Sequence, residues 1–397
     1  MFTFNASGII KVKDFDFFVE KKKRFLEKNK EELFEKYGVL RKTGWDGDIE
    51  KYEMFRDEYC GLVRGILIDV IANYRRFLPE KCLIVEFGSF AKRTERIFSD
   101  FDFTICYDEP KTEKYEVAEE LIDYSLASIF GYTIDHVHGK FQHYPDMPEL
   151  LAYTEKDNHY RLVFEDGIVD YKCGPETLNE NLMHIKNVRD YDSMLAGYEE
   201  KYEYKCNIDC LYSINILENT TEHDFLGDLS ALERKYDICD GYVFDLASYE
   251  LKANFQVSEI KILLKSQGVV EFYTFIAALR KKIGFCDVYS MSISDIWGNH
   301  IVLSFFGKEY AARLQKAFVE FMFFFNRIEI SLNKRGIPLS SRCYSSFTLI
   351  SINKLLDEDW GGTTTLEMVV DARNKLAFTV QEGLRRLKEK VCDREQG

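Results

Sequence analysis

Apolar positions recur at helical spacing through the first eighty residues. Residues 18–37 mix Lys and Glu around an intermittent stripe of Phe18, Phe25, Leu26 and Phe34. Residues 49–77 carry Leu62, Ile66, Leu67, Val70 and Ile71 on one helical face, and Pro79 ends that pattern. The period then shortens. Residues 82–87 (CLIVEF) form a short apolar run followed at once by Gly88-Ser89, and residues 100–107 (DFDFTICY) begin with strict alternation, as a half-buried strand does. An amphipathic helix is expected over 115–130 and a short strand over 133–138. Residues 159–173 read as two strands joined by a tight turn at Asp166-Gly167. Helical spacing dominates again over 176–185, 191–204, 257–266, 269–283, 308–328 and 372–391.

The pattern predicts an α+β chain in three parts. N-terminal helices (1–80) pack on a small sheet-containing unit (81–205), and a mainly α-helical C-terminal domain (206–397) follows. A length of 397 residues accommodates this, and 46% hydrophobic with 30% charged residues is the balance of a globular protein. The formal charge of −14 makes DNA, RNA or an anionic membrane surface a poor partner. The apolar run at 318–325 is broken by Glu320 and falls far short of the ~20 residues a membrane-spanning helix needs. Acidic residues interrupt the N-terminal segment where a secretory apolar region would continue, so no signal peptide is expected. The 10 cysteines form no Cys-x-x-Cys pair and several sit in apolar runs, the pattern of reduced, buried thiols in a cytoplasmic protein.

The chemistry concentrates in a Gly-Ser-x10-Asp-x-Asp pattern: Gly88-Ser89, then Asp100 and Asp102. Glycine lets the backbone approach a phosphate, and the serine hydroxyl with neighbouring N–H groups can bind its oxygens. Lys92, Arg93 and Arg96 follow and would neutralise a triphosphate. Residues two apart on a strand share a face, so Asp100 and Asp102 converge with Cα atoms ~7 Å apart. Two carboxylates on one face repel unless a cation lies between them, and hard oxygen donors suit Mg²⁺, or Mn²⁺ in its place. Four other Asp-x-Asp pairs (14/16, 46/48, 190/192 and 357/359) lack this setting and read as caps, turns or solvated helix faces. A third carboxylate is expected in a two-metal site. Asp170, flanked by apolar residues, is one candidate; Asp135 in TIDHV is a competitor, and Asp166 reads as the turn residue.

From Cys82 to Gly174 these residues resemble the polymerase-β-type nucleotidyltransferase superfamily. The segments RIFSDFDFTICY and YRLVFEDGIVDYK look most like its aminoglycoside adenylyltransferase branch, and the Gly-Ser-x10-Asp-x-Asp spacing resembles its PII uridylyltransferase group. The resemblance implies a five-stranded mixed β-sheet with helices, two Mg²⁺ ions, and transfer of a nucleoside monophosphate, AMP being favoured, from an NTP with release of pyrophosphate. Gly88 and Ser89 would hold the β- and γ-phosphates. Asp100 and Asp102 would bridge the metals, and Asp170 would complete the site and help activate an acceptor hydroxyl on a small molecule or protein. Ala91 stands where the uridylyltransferase group carries Gly, and Arg93-Thr94 where minimal nucleotidyltransferases carry Gly-Thr, which leaves the acceptor open. A catalytically silent nucleotide-binding module of the same fold is the alternative.

Other signals carry less. His136-x-His138, with His143 and His159 nearby, lacks a defined ligand set for a transition metal. The 32 Phe and 24 Tyr lie mostly on core stripes such as FVEFMFFF rather than on a nucleic-acid stacking face. Lys261 and Lys265 read as a solvated helix face. No Walker-A, G-x-G-x-x-G or G-x-S-x-G pattern occurs.

Overall fold

The computed structural model begins with a short strand, β1 (Ile9–Lys11), and two long helices, α1 (Lys13–Tyr37) and α2 (Ile49–Tyr74). It describes residues 9–11, 13–86, 88–91, 96–98, 103–106, 121–122, 125–126, 128–130, 150–156, 159–164, 167–171, 215–220, 248–251, 254–256, 259–260, 262–270, 272, 275–276, 279, 293–335 and 346–395. α2 starts where Asp48 caps it, its carboxylate accepting from the Lys51 N–H at 3.0 Å. Its apolar residues Phe55, Tyr59, Val63, Ile66, Leu67, Val70 and Tyr74 fall on one face and are buried. A 3₁₀ turn, Arg75–Phe77, closes it just before Pro79.

Next come β2 (Leu83–Glu86), a single helical turn α3 (Gly88–Ala91) and β3 (Phe103–Cys106). The residues described between 121 and 130 are helical, with Leu121, Ile122, Leu126 and Ile129 buried, as an amphipathic helix there requires. β4 (Leu150–Lys156), β5 (His159–Phe164) and β6 (Gly167–Tyr171) follow, then β7 (Asn215–Asn219) and β8 (Asn254–Gln256). The expected hairpin is present, with Phe164 opposite Gly167. The expected strand at 133–138 and the helices at 176–185 and 191–204 lie outside the described residues.

The strands form three sheets, ordered β1-β4-β5-β6, β3-β2-β7 and β8-β9 (the last strand, Ser346–Thr348). Every pairing among the described residues is antiparallel, where the resemblance implied a mixed sheet. β7 was not anticipated. It lies beyond the boundary placed near residue 205, yet pairs with β2. Thr220 fastens that edge: its N–H donates to the Cys82 carbonyl and its hydroxyl oxygen accepts from the Cys82 N–H, both at 2.9 Å.

Helices dominate the remainder. The residues described at 259–260, 272, 275–276 and 279 are helical, as expected, and a π-helix, Ile262–Val270, runs through Gly268, where a break between two helices was expected. At Gly268 a Cβ would lie 2.5 Å from Phe321 Cζ, so the absent side chain admits that ring. Then come α4 (Ile293–Gly298), α5 (His300–Phe306), α6 (Lys308–Asn333), α7 (Leu349–Trp360) and α8 (Leu366–Glu395). A Thr348/Ser351 capping box starts α7, and Gly361 in the left-handed region (φ 60°) ends it. No helix among the described residues is long and apolar enough to cross a membrane.

α6 is the central member. The FVEFMFFF run packs inward as expected, with Phe318, Phe321, Met322 and Phe325 buried. Its last turns also bury Asn326, Arg327, Glu329 and Ser331. Buried polar groups persist only when bonded, and each of these reaches a different part of the chain. Asn326 bonds the Tyr52 hydroxyl, Arg327 the 41–43 loop and Thr363-Thr364, and Glu329 meets Arg96. Ser331 accepts from the Trp360 indole at 2.8 Å.

Beside this cluster, Asp359 pairs with Arg335 at 2.7 Å. Burial pushes its carboxyl up, but hydrogen bonds from Ser331 and Arg335 and the charges of Lys334 and Arg335 outweigh that and leave it below its ordinary 3.8. A depressed folded pKa stabilises the fold above the unfolded value, and that contribution is lost as pH falls through the folded one. In urea titrations across pH, the stability gap between wild type and Asp359→Asn should therefore persist down to the ordinary carboxylate value and close below it. A gap that widens on acidification would contradict the assigned pairing.

Gly383 of α8 faces Tyr310 and Phe275 so closely that a Cβ would lie 2.6 Å from Phe275 Cζ. Gly383→Ala should destabilise the protein by about 1–3 kcal/mol through overpacking. Gly65→Ala, on α2 where a Cβ meets nothing within 4 Å, should be neutral or stabilising by about 0.5–1 kcal/mol. Denaturation midpoints of the two variants check the contrast.

Candidate functional site

Gly88 and Ser89 open α3 directly after β2, so the dipeptide begins a helical turn rather than an open bend. Phe90 and Ala91 anchor that turn in the core, leaving Ser89 half-buried. β3 returns antiparallel beside β2 with Phe103 opposite Glu86. The Gly-Ser turn and the chain entering β3 therefore belong to the same end of this strand pair. Lys92, Arg93, Asp100 and Asp102 lie outside the described residues, as does Asp135.

Asp170 is in β6, where its backbone pairs opposite Arg161. That strand belongs to the β1-β4-β5-β6 sheet, whereas β3 belongs to the β3-β2-β7 sheet. Among the described residues β6 thus does not pair with β3.

A carboxylate missed by the sequence reasoning supports the Gly-Ser turn from below. Glu86, at the end of β2, is 1% exposed. Arg64 of α2 donates from Nε to both its oxygens at 2.9 Å and from Nη2 to the Phe90 carbonyl at 3.0 Å. Asn215 of β7 donates to Glu86 Oε2 at 2.8 Å. One arginine thus ties α2 to β2 and α3 together. Glu86 sits in the apolar run CLIVEF, and an acid inside such a run was the available signal.

Arg96 requires a correction. Expected to neutralise a triphosphate, it is instead 7% exposed and paired with the buried Glu329 of α6, its guanidinium 4.6 Å from the Phe325 ring centroid. Two further bonds hold the same point. The Tyr59 hydroxyl donates to the Ile97 carbonyl at 2.7 Å, and the Ile97 N–H donates to Asn326 Oδ1 at 3.3 Å. The connection from Ser89 to Asp100 is therefore pinned near its middle to α2 and α6.

The cap reading of the Asp46/Asp48 pair holds. Asp48 caps α2, and Asp46 accepts from the Asp48 N–H at 3.1 Å. Asp359, expected on a cap, turn or solvated helix face, is instead largely buried and paired with Arg335. Cys60 and Cys82 are both buried, and burial pushes the Cys82 thiol up, away from nucleophilic use.

A concave feature lies between the α1–α2 loop and α6. This cleft of about 570 Å³, counted with the solvent at its mouth, is lined by Tyr37, Trp45, Tyr52, Phe323 and Asn326, among others. Arg327 lines it too, 2% exposed, with its guanidinium 4.2 Å from the Phe323 and 4.5 Å from the Trp360 ring centroids. Nη1 donates to the Thr363 and Thr364 hydroxyls at 3.0 and 2.9 Å; Nη2 donates to the Arg41 and Thr43 carbonyls at 2.8 and 2.6 Å. Nε has no acceptor, and burial lowers the pKa to about 10. An Asn-Arg pair closing an unbroken aromatic run was the signal for this residue.

Comparisons with family models and with curated protein sequences find no match to this chain.

Removing one partner of a buried ion pair strands the other charge. Arg96→Ala should therefore destabilise the protein by about 3–5 kcal/mol, while Arg96→Met combined with Glu329→Leu should recover most of that loss. Urea denaturation of the single and double variants checks this. A single variant as stable as wild type would return Arg96 to the pool of free cations.

Proposed function

We propose that the chain is a metal-dependent nucleotidyltransferase that moves a nucleoside monophosphate, AMP being favoured, from an NTP to a hydroxyl of a small molecule or protein, releasing pyrophosphate. One observation carries this reading: the Gly88-Ser89 turn begins as β2 ends, and β3, which Asp100-x-Asp102 immediately precedes in sequence, runs back beside β2. That strand–turn–strand order supports placing phosphate donors and carboxylates at one end of a strand pair.

In this reading Asp100 and Asp102 hold Mg²⁺, which two hard oxygen donors two residues apart suit. Once bound, Mg²⁺ supplies charge neutralisation for the leaving pyrophosphate and lowers the pKa of an acceptor hydroxyl. Gly88 and Ser89 receive the β- and γ-phosphates through backbone N–H groups and the hydroxyl. With Arg96 committed to Glu329, the cations left to face the triphosphate are Lys92 and Arg93. The third acid, Asp170 or Asp135, takes the acceptor proton. Most of the protein's contribution is positioning, which the Arg64–Glu86 tie and the pinned Arg96–Ile97 segment favour by stiffening both flanks of the site.

Incubation with each α-labelled NTP, Mg²⁺ and a panel of aminoglycosides, tRNA and cell lysate should transfer label to an acceptor and release pyrophosphate. Asp102→Ala should abolish transfer, a loss of about 10³-fold or more if the metal clamp is gone. Transfer that survives Asp102→Ala rules out its metal role. NTP binding with no pyrophosphate release under any condition would leave a silent nucleotide-binding module instead.

A further inference from the structure

Helix α1 brings to the motif segment a cation that the motif itself does not supply. Lys30 is half-buried, one turn before Phe34. Its ammonium sits 5.5 Å from the Phe34 ring centroid and 5.0 Å from that of Phe98, the residue two places before Asp100. It forms no hydrogen bond or ion pair among the described residues. Burial lowers its pKa, outweighing the opposing charge of Glu27. The amine has thus lost much of its water without gaining an anion, and two ring faces make up only part of that loss.

Its level along the helix pair is fixed by two ion pairs. Lys22 meets Asp69 and Lys36 meets Glu58, so α1 and α2 run antiparallel, and Lys30 stands level with the turn of α2 between Tyr59 and Arg64. Those two side chains hold the Ile97 and Phe90 carbonyls, at positions ~7.5 Å apart along the helix axis. Lys30 therefore approaches the connection from Ser89 to Asp100 at the level of its two anchors on α2. With Arg96 turned to Glu329, that connection keeps only Lys92 and Arg93 as cations of its own.

We propose that the Lys30 ammonium binds the phosphate chain of the NTP held at Gly88-Ser89. The inference rests on the nucleotidyltransferase reading for the place of that chain, and it adds a substrate contact from outside the motif. An ammonium already stripped of water gives up little more hydration when the anion arrives.

The test is calorimetric titration of the full chain with inorganic tripolyphosphate in the presence of Mg²⁺. Wild type should bind it saturably. Lys30→Met, which keeps an unbranched stem between the two rings, should weaken binding about tenfold or more, the loss expected for a charged hydrogen bond. Lys30→Arg should recover most of the affinity. Lys28→Met, which removes an exposed cation from the same helix, should change nothing. In wild type, tripolyphosphate should shield Lys30 but not Lys28 from acetic anhydride, read residue by residue by mass spectrometry, so the outcome does not hang on the variants folding. The proposal fails if tripolyphosphate does not bind saturably, if Lys30→Met binds it as wild type does, or if the two lysines are shielded alike. Label transfer from NTP, with tripolyphosphate affinity unchanged in Lys30→Met, overturns this contact and leaves the nucleotidyltransferase reading standing. Tripolyphosphate binding that depends on Lys30, with no transfer, supports the contact and overturns the reading.

Discussion

The structure depends on a short run of buried polar side chains in α6. Asn326, Arg327, Glu329 and Ser331 sit on a helix otherwise packed with phenylalanine, and none can be buried without a partner. Their partners come from α2, from the loop before it, from the segment between α3 and β3, and from the end of α7. Hydrophobic burial alone would let these elements slide against α6. Directional bonds to four parts of the chain specify one arrangement, which the aromatic packing then fills.

The same run relates the Gly-Ser motif to the aromatic cleft. Asn326 lines the aromatic cleft and also accepts from Ile97, between Ser89 and Asp100. Glu329, one turn further, holds Arg96. The motif-bearing segment and the cleft are thus braced by successive residues of one helix. Arg64 and Glu86 supply a second brace, joining α2, β2, α3 and β7.

Much of the helical layout was legible because burial of one face leaves a periodic trace: the 49–77 pattern became α2 with its 3₁₀ end, and the stretch at 159–173 became the β5–β6 hairpin. α7 went unread, although Thr348, Ser351 and Gly361 mark its two ends. β7 was illegible for a different reason. NILEN is short, and its place in a sheet comes from pairing with β2, more than 120 residues earlier. Arg96 shows the limit for a site: a basic residue beside a phosphate-like motif and one facing a buried acid on a distant helix look alike until Glu329 is placed. Of the candidate residues, Gly88 and Ser89 stand where the strand pattern put them, and Asp170 falls on a strand of another sheet.

The grip of Arg327 on the 41–43 loop has one more implication. It takes hold of the main-chain oxygens of Arg41 and Thr43, not of their side chains. Any amino acid that tolerates the same backbone path presents those oxygens equally well, whereas one residue more or fewer would carry them out of reach. Descendants of this chain would be free to rewrite the letters of that loop but held to its length.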